Sequence, residues 1–150
     1  MTDYKYFEDF AVGQSTETPS VEMTEAEIIE FAKQFDPQPM HIDPVAAQHI
    51  TGGLIASGWH TASMTMRLLV TAANYHPAPG TVGLGFEHLK WMKSVRPGDK
   101  IRLRLDVLGV RDSSSKPGWG IVTNLFTTFN QHDEPVQEMK TSIIVPKRNK

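Results

Sequence analysis

The stretch from Leu54 to Ala73, LIASGWHTASMTMRLLVTAA, constrains the fold more than any other part of the chain. Only His60 and Arg67 in it can carry charge, and its apolar or small residues fall on every face at helical spacing. A helix apolar all round is a buried helix, so the stretch is expected to be a core helix wrapped by the rest of the chain. It has about the length of a membrane span, but Thr, Ser, Gly, His and Arg cut it into short apolar runs, which argues against a transmembrane reading. The helix is expected to begin at Ser57-Gly58. The first N–H groups of a helix have no intrahelical partner and lie at the positive end of its dipole. A buried start at Gly58 therefore suits developing negative charge.

Before this stretch the chain reads as helices and loops. Tyr4 to Gly13 is a lead-in, and Thr16, Thr18 and Val21 suggest a first strand. Thr24-Glu25-Ala26-Glu27 matches a capping box, and Ile28, Phe31, Ala32 and Phe35 follow on one face, predicting an amphipathic helix over 25–35. Pro37 ends it, because the residue before a proline is pushed out of the helical region. The segment DPQPMHIDP, Asp36 to Pro44, holds three prolines and is expected to be a stiff, extended loop that keeps Asp36 and His41 in a fixed relation. Asp43-Pro44 reads as an N-cap and first helical residue of a short helix that Thr51-Gly52-Gly53 breaks.

After the central helix the period changes to that of strands. Val82 to Val95 is expected to be one long strand and Arg96-Pro97-Gly98-Asp99 a turn. In Lys100 to Val110, residues Ile101, Leu103, Leu105 and Val107 alternate with polar ones. Two more strands follow, Gly120 to Asn130 and Val136 to Val145, joined through Gln131 to Glu134. Consecutive strands with short turns predict an antiparallel meander, and such a sheet covered by a long helix is an α+β architecture. Residues 1–150 form one expected domain, a length sufficient for a core without metal or disulfide support. There is no cysteine, which excludes disulfides, thiolate metal sites and a cysteine nucleophile. A net charge of -2 gives no case for a nucleic-acid partner. The N-terminus has acidic residues and no apolar h-region, so no export signal is read there and a cytoplasmic location is expected. The basic end, PKRNK, reads as a solvated tail.

The run Asp36 to Pro44, followed by Gly53-Leu54-Ile55-Ala56-Ser57-Gly58 and a buried helix, resembles the MaoC-like dehydratases, the (R)-specific enoyl-CoA hydratase family with the hot-dog fold. Gly85-Phe86-Glu87-His88-Leu89-Lys90-Trp91 and Arg96-Pro97-Gly98-Asp99 extend the resemblance over nearly the whole chain; Gln38 departs from it, since family members often have Asn there. The resemblance implies that Asp36 and His41 are the catalytic pair and that the Gly58 N–H holds the thioester oxygen. Ser57 and Trp59, which flank Gly58, are further candidates for substrate contact. It also implies a homodimer or higher homo-oligomer, an acyl-CoA substrate, no membrane partner, and no cofactor beyond the coenzyme A of the substrate.

The chemistry is consistent with those residue types. Adding water to an α,β-unsaturated thioester needs a base, an acid and an oxyanion donor. Asp36 can orient water, His41 can exchange a proton near neutral pH, and the helix start can supply the donor. The division of proton work between Asp36 and His41 stays open. So do two alternatives, a hot-dog thioesterase and a non-catalytic acyl-CoA binding module. An acidic residue near the central helix, usual in thioesterases, is missing here. His41, Asp43, His49 and His60 match no metal-site spacing. No Gly-x-Ser-x-Gly elbow surrounds Ser57. Lys90, Lys93 and Arg96 are candidates for the coenzyme A phosphates, and Met64, Met66 and Leu68 for the limit on acyl length.

Overall fold

The computed structural model describes residues 2–149; Met1 and Lys150, the ends of the N-terminal stretch and of the basic tail, lie outside the described residues. Helix α1, Glu25–Phe35, starts where Thr24 accepts from the Glu27 N–H at 3.2 Å. This is one half of the capping box. Its apolar face buries Ile28 and Ala32, whereas Phe35 is exposed. The helix stops at Asp36, ahead of Pro37. The segment after it is not extended throughout, as its prolines suggested. Pro39–Ile42 forms a single helical turn, α2, with Pro39 at its first positions, where a missing N–H is no loss. Helix α3, Pro44–Thr51, is capped by Asp43, which accepts from Val45 and Ala46, and it ends at Gly52 with φ 70°. Helix α4, Gly58–Ala72, is the long element expected.

Six strands follow one another as β1 (Ser15–Glu17), β2 (Val21–Glu22), β3 (Val82–Trp91), β4 (Lys100–Asp112), β5 (Trp119–Phe129) and β6 (Pro135–Pro146). All pairings between them are antiparallel, and the spatial order is β1-β4-β5-β6-β3, with β2 also on β4. The expected first strand is thus two short ones. Pro19 lies between them and has no N–H for the ladder. The meander holds for β4, β5 and β6, but β3 pairs with β6 and not with its sequence neighbour β4. The long strand expected to reach Val95 ends at Trp91. Beyond it the chain crosses to the start of α4, where the Ala56 N–H donates to the Val95 carbonyl at 2.8 Å.

Helix α4 lies on the sheet. It buries Met64, Leu68 and Leu69 against Leu103, Leu105, Phe126 and Met139. A buried polar ladder sets its register. Thr65 and Thr128 hydroxyls meet at 2.7 Å, Gln137 Nε2 donates to Thr65 Oγ1 at 3.0 Å, and Trp91 Nε1 donates to Gln137 Oε1 at 2.9 Å. Thr65, Thr128 and Gln137 are each paired within it, so the ladder specifies one docking position. The helix is not enclosed on every side. Trp59, Met66 and Val70 are exposed, so within one chain the sheet wraps one face only. Among the described residues no helix is long and apolar enough to cross a membrane.

Candidate active site

Asp36 is the C-cap of α1, and His41 lies in α2, so a helix end and a single helical turn hold the pair. Asp36 Oδ2 lies 3.4 Å from His41 Nε2. Ser57 Oγ donates to Asp36 Oδ2 at 2.7 Å, and Gln38 Nε2 donates to Asp36 Oδ1, also at 2.7 Å. The Ser57 bond is the largest cause holding the Asp36 pKa below its ordinary value, followed by the Gln38 bond; proximity to His41 acts the same way, and burial opposes all three. Asp36 is therefore an ionised, pinned acceptor at neutral pH.

His41 is buried, and its Nδ1 lies 2.7 Å from the Ile55 carbonyl oxygen. A carbonyl only accepts, so Nδ1 carries the proton, and in the neutral ring Nε2 presents a lone pair toward Asp36. The Ile55 carbonyl is itself fixed, because the Ile55 N–H donates to Met40 at 3.1 Å and the adjacent Ala56 to Val95. Neutral His41 and ionised Asp36 thus turn two acceptors toward each other. Neither can donate to the other, and at 3.4 Å they are too close for a water to stand between them, but a molecule carrying two protons, such as water, can bridge both from one side.

Ser57 is the N-cap of α4, yet its hydroxyl makes no cap bond and goes to Asp36. Its carbonyl accepts from His60 and Thr61. Among the described residues the Gly58 and Trp59 N–H groups make no hydrogen bond, as the first donors of an uncapped helix do not. Gly58 and His41 line one cavity of about 260 Å³ with Ile55, Thr61, Trp91 and Val95. The Trp91 indole lies against Gly58. A Cβ there would be 2.6 Å from Trp91 Cδ2 and closer still to Cε2, so a side chain at this position needs the ring to move.

The structure thus brings Asp36, His41, Ser57 and Gly58 together. It gives Ser57 a place behind the carboxylate, fully buried, in place of the substrate contact expected of it. Trp59 is exposed and packs edge-on to Trp91 at 5.2 Å; it lines a second, larger cavity of about 730 Å³. Met66 lines that cavity too, whereas Met64 and Leu68 are packed in the core. Of the cationic candidates only Lys93 lines the small cavity, where it is ion-paired with Glu134; Arg96 donates to the Thr51 carbonyl. Among the described residues no group of three or more His, Asp or Glu is placed to hold a metal. Gln38, Trp91 and the Ile55 carbonyl were missed as members of the site. Gln38 lies two residues from Asp36 and Ile55 three before Gly58, whereas Trp91 arrives from distant sequence.

The family model described as a MaoC like domain matches residues 9–129. The protein YdeM of Bacillus subtilis (strain 168) is 30% identical over 139 residues, covering 92% of this chain and 96% of YdeM. A solved structure of a MaoC-like dehydratase from Rhodospirillum rubrum is 42% identical with a TM-score of 0.90, covering 97% of this chain and 99% of that one. An (R)-hydratase from A. caviae is 27% identical with a TM-score of 0.74, covering 91% and 98%. The antiparallel sheet with α4 across it is the hot-dog fold of these neighbours. With the fold matched almost end to end and the family model spanning most of its length, the chain belongs to the MaoC-like domain family.

Proposed function

We propose that the protein adds water to, or removes it from, an acyl-CoA thioester, interconverting trans-2-enoyl-CoA and (R)-3-hydroxyacyl-CoA. The observation that carries this reading is the pair of proton acceptors 3.4 Å apart, Asp36 Oδ2 and His41 Nε2, close to a helix start with free N–H donors. In the hydration direction a water held by both acceptors attacks C3, and its proton passes to His41 Nε2. The C2=C3 electron pair moves to C2, and the resulting enolate places its charge on the thioester oxygen. The Gly58 N–H receives that charge, with Trp59 N–H as the adjacent donor. The His41 imidazolium then returns the proton to C2. The C–S bond stays intact, and dehydration is the reverse sequence.

The hydrogen bonds from Ser57 and Gln38 that hold the Asp36 pKa below its ordinary value support His41 as the proton carrier; in this scheme Asp36 orients the water and stabilises the imidazolium. This scheme uses no cofactor beyond the coenzyme A that the substrate carries. The site is proposed to work in a homodimer. Strand β3 is the sheet edge, and Leu84 and Phe86 on it, together with Met66 and Val70 of α4, form an exposed apolar margin around the larger cavity. A second copy of the chain covers that margin and closes the cavity.

The test uses one enoyl-CoA sample followed by ultraviolet absorbance and by a thiol reagent. Loss of conjugation without thiol release is expected. Asp36→Asn and His41→Ala should each lower turnover at least about 10²-fold, and the double variant should be little worse than the poorer single, because both act on one water. Thiol release that survives both substitutions would replace hydration by hydrolysis, and no reaction with any acyl-CoA would leave a binding module.

A further inference from the structure

Asn124 stands in the middle of β5 with no exposed surface, and among the described residues neither its Oδ1 nor its Nδ2 has a hydrogen-bond partner. Exchanging the two amide atoms alters nothing, since both lack a partner. A buried amide left in that condition is unfavourable in a native core, and it points to a polar group that binds there. Its surroundings identify where that group comes from. Thr128 meets Thr65 of α4, so Phe126 and Asn124, two and four residues before it, face the helix as well. The cross-strand partner of Asn124 is Thr141. Around it on this face, Phe126, Met139, Thr141 and Ile143 all line the larger cavity. Asn124 is not itself among the residues that line the cavity, but its neighbours on this face are, and its diagonal neighbour Met139 is an unbranched thioether that repacks readily.

The strand register places Asn124 along that cavity. Trp91, Gln137 and Thr128 are aligned across β3, β6 and β5, and the Trp91 ring lies on Gly58. Asn124 is four residues further along β5, about 13 Å at ~3.3 Å per residue. The cavity runs the same way, from Trp59 at the start of α4 to Val70 and Tyr75 at its far end. An acyl chain that runs from a thioester at Gly58, in the small cavity, on into this larger one comes level with Asn124 well beyond the reacting carbons. The lining contains no charged side chain, and burial pushes the Tyr75 phenol up to about 12, so it stays neutral.

We infer that Asn124 recognises a hydroxyl group on the far half of the acyl chain, which makes hydroxylated, medium-length acyl-CoA thioesters the preferred substrate class. The inference rests on the reaction proposed above. A hydroxyl accepts from Nδ2 and donates to Oδ1, so it satisfies both unpartnered atoms. A keto oxygen satisfies only Nδ2 and a methylene neither. A carboxylate would bring an unpaired charge into a neutral lining.

The test compares two trans-2-enoyl-CoA substrates of equal length, one bearing a hydroxyl remote from the thioester, on the wild-type protein and Asn124→Leu. Calorimetric titration with the matching saturated acyl-CoA pair, which cannot be hydrated, gives a readout independent of turnover. The wild type should prefer the hydroxylated substrate by about tenfold or more in kcat/KM. Asn124→Leu should lose that preference while keeping its kcat/KM for the plain substrate. Leu leaves no unpartnered amide, so the variant should melt no lower than wild type; Asn124→Val replaces it if Leu does not fold. Equal kcat/KM for the two substrates in the wild type, or a preference that survives in the variant, overturns the inference. If neither substrate turns over, binding decides: a tenfold preference lost in Asn124→Leu upholds the role of Asn124 while the hydratase reading falls, and equal binding overturns both.

Discussion

At Ser57 a hydroxyl in the N-cap position of α4 donates to a carboxylate outside the helix, and this one bond does two things. It holds Asp36 ionised, and it leaves the helix donors at Gly58 and Trp59 uncapped. The residue types of the site were legible in the sequence, because an Asp, a His and a Gly before a buried helix are few and closely spaced. The direction of the Ser57 hydroxyl was not, since a serine before a helix reads equally as a cap. His60, three residues on, shows another feature that no pattern reveals. Its ring stacks on Phe31 with centroids 4.7 Å apart, and its Nδ1 is buried without a partner among the described residues. Burial holds its pKa below the ordinary 6.5. Between that lowered value and 6.5 the unfolded chain binds a proton that the folded chain does not, so this contribution to stability is complete above pH 6.5 and declines as pH falls below it. His60→Phe keeps a ring for the stack and removes the titration. Denaturant melts from about pH 7.5 to 5.5 should show a smaller acid loss in His60→Phe than in wild type; an identical loss would assign it to another group.

Among the elements, Gly58 sets two principles against each other. Ala is a better helix former than Gly by about 1 kcal/mol, so at an open helix start Gly58→Ala would stabilise. Here the added methyl meets the Trp91 ring, and the overlap should prevail, destabilising by about 1–3 kcal/mol. Urea melts and turnover measured together should show both falling, and Gly58→Ala should cost less stability in a Trp91→Leu background, which has already lost the Gln137 bond, than in the wild type. A single variant as stable as wild type would mean the indole yields freely. Elements with a strong local period were legible from sequence: α1, α4, β4, β5 and β6 lie within a few residues of expectation. The turn α2 was hidden because prolines suggest extension, while Pro39 at a first helical position favours a turn. The partner of β3 was hidden for a different reason, since strand alternation carries no information about a neighbour some fifty residues away.

For the whole molecule, the exposed margin formed by β3 and α4 carries the oligomeric prediction. Phe86 is 60% exposed and Leu84 53%, and both line the cavity that lies along α4. Leu84→Lys with Phe86→Lys should leave each chain folded but yield a monomer in sedimentation, because the charges lie on the surface of a single chain and would be buried only against a second copy. A dimer that persists in the double variant places the interface elsewhere. The same strand order also bears on how the chain is made. Among the described residues strand β3 pairs only with β6, the last of the strands. During synthesis β3 leaves the ribosome with its apolar side chains and both backbone edges unsatisfied. It waits for about fifty further residues, some 3–10 s at roughly 5–20 residues per second, before its ladder can close. The edge available to a second copy is therefore, for that interval, also available to any other nascent chain, and loss of the final strand would make the delay permanent.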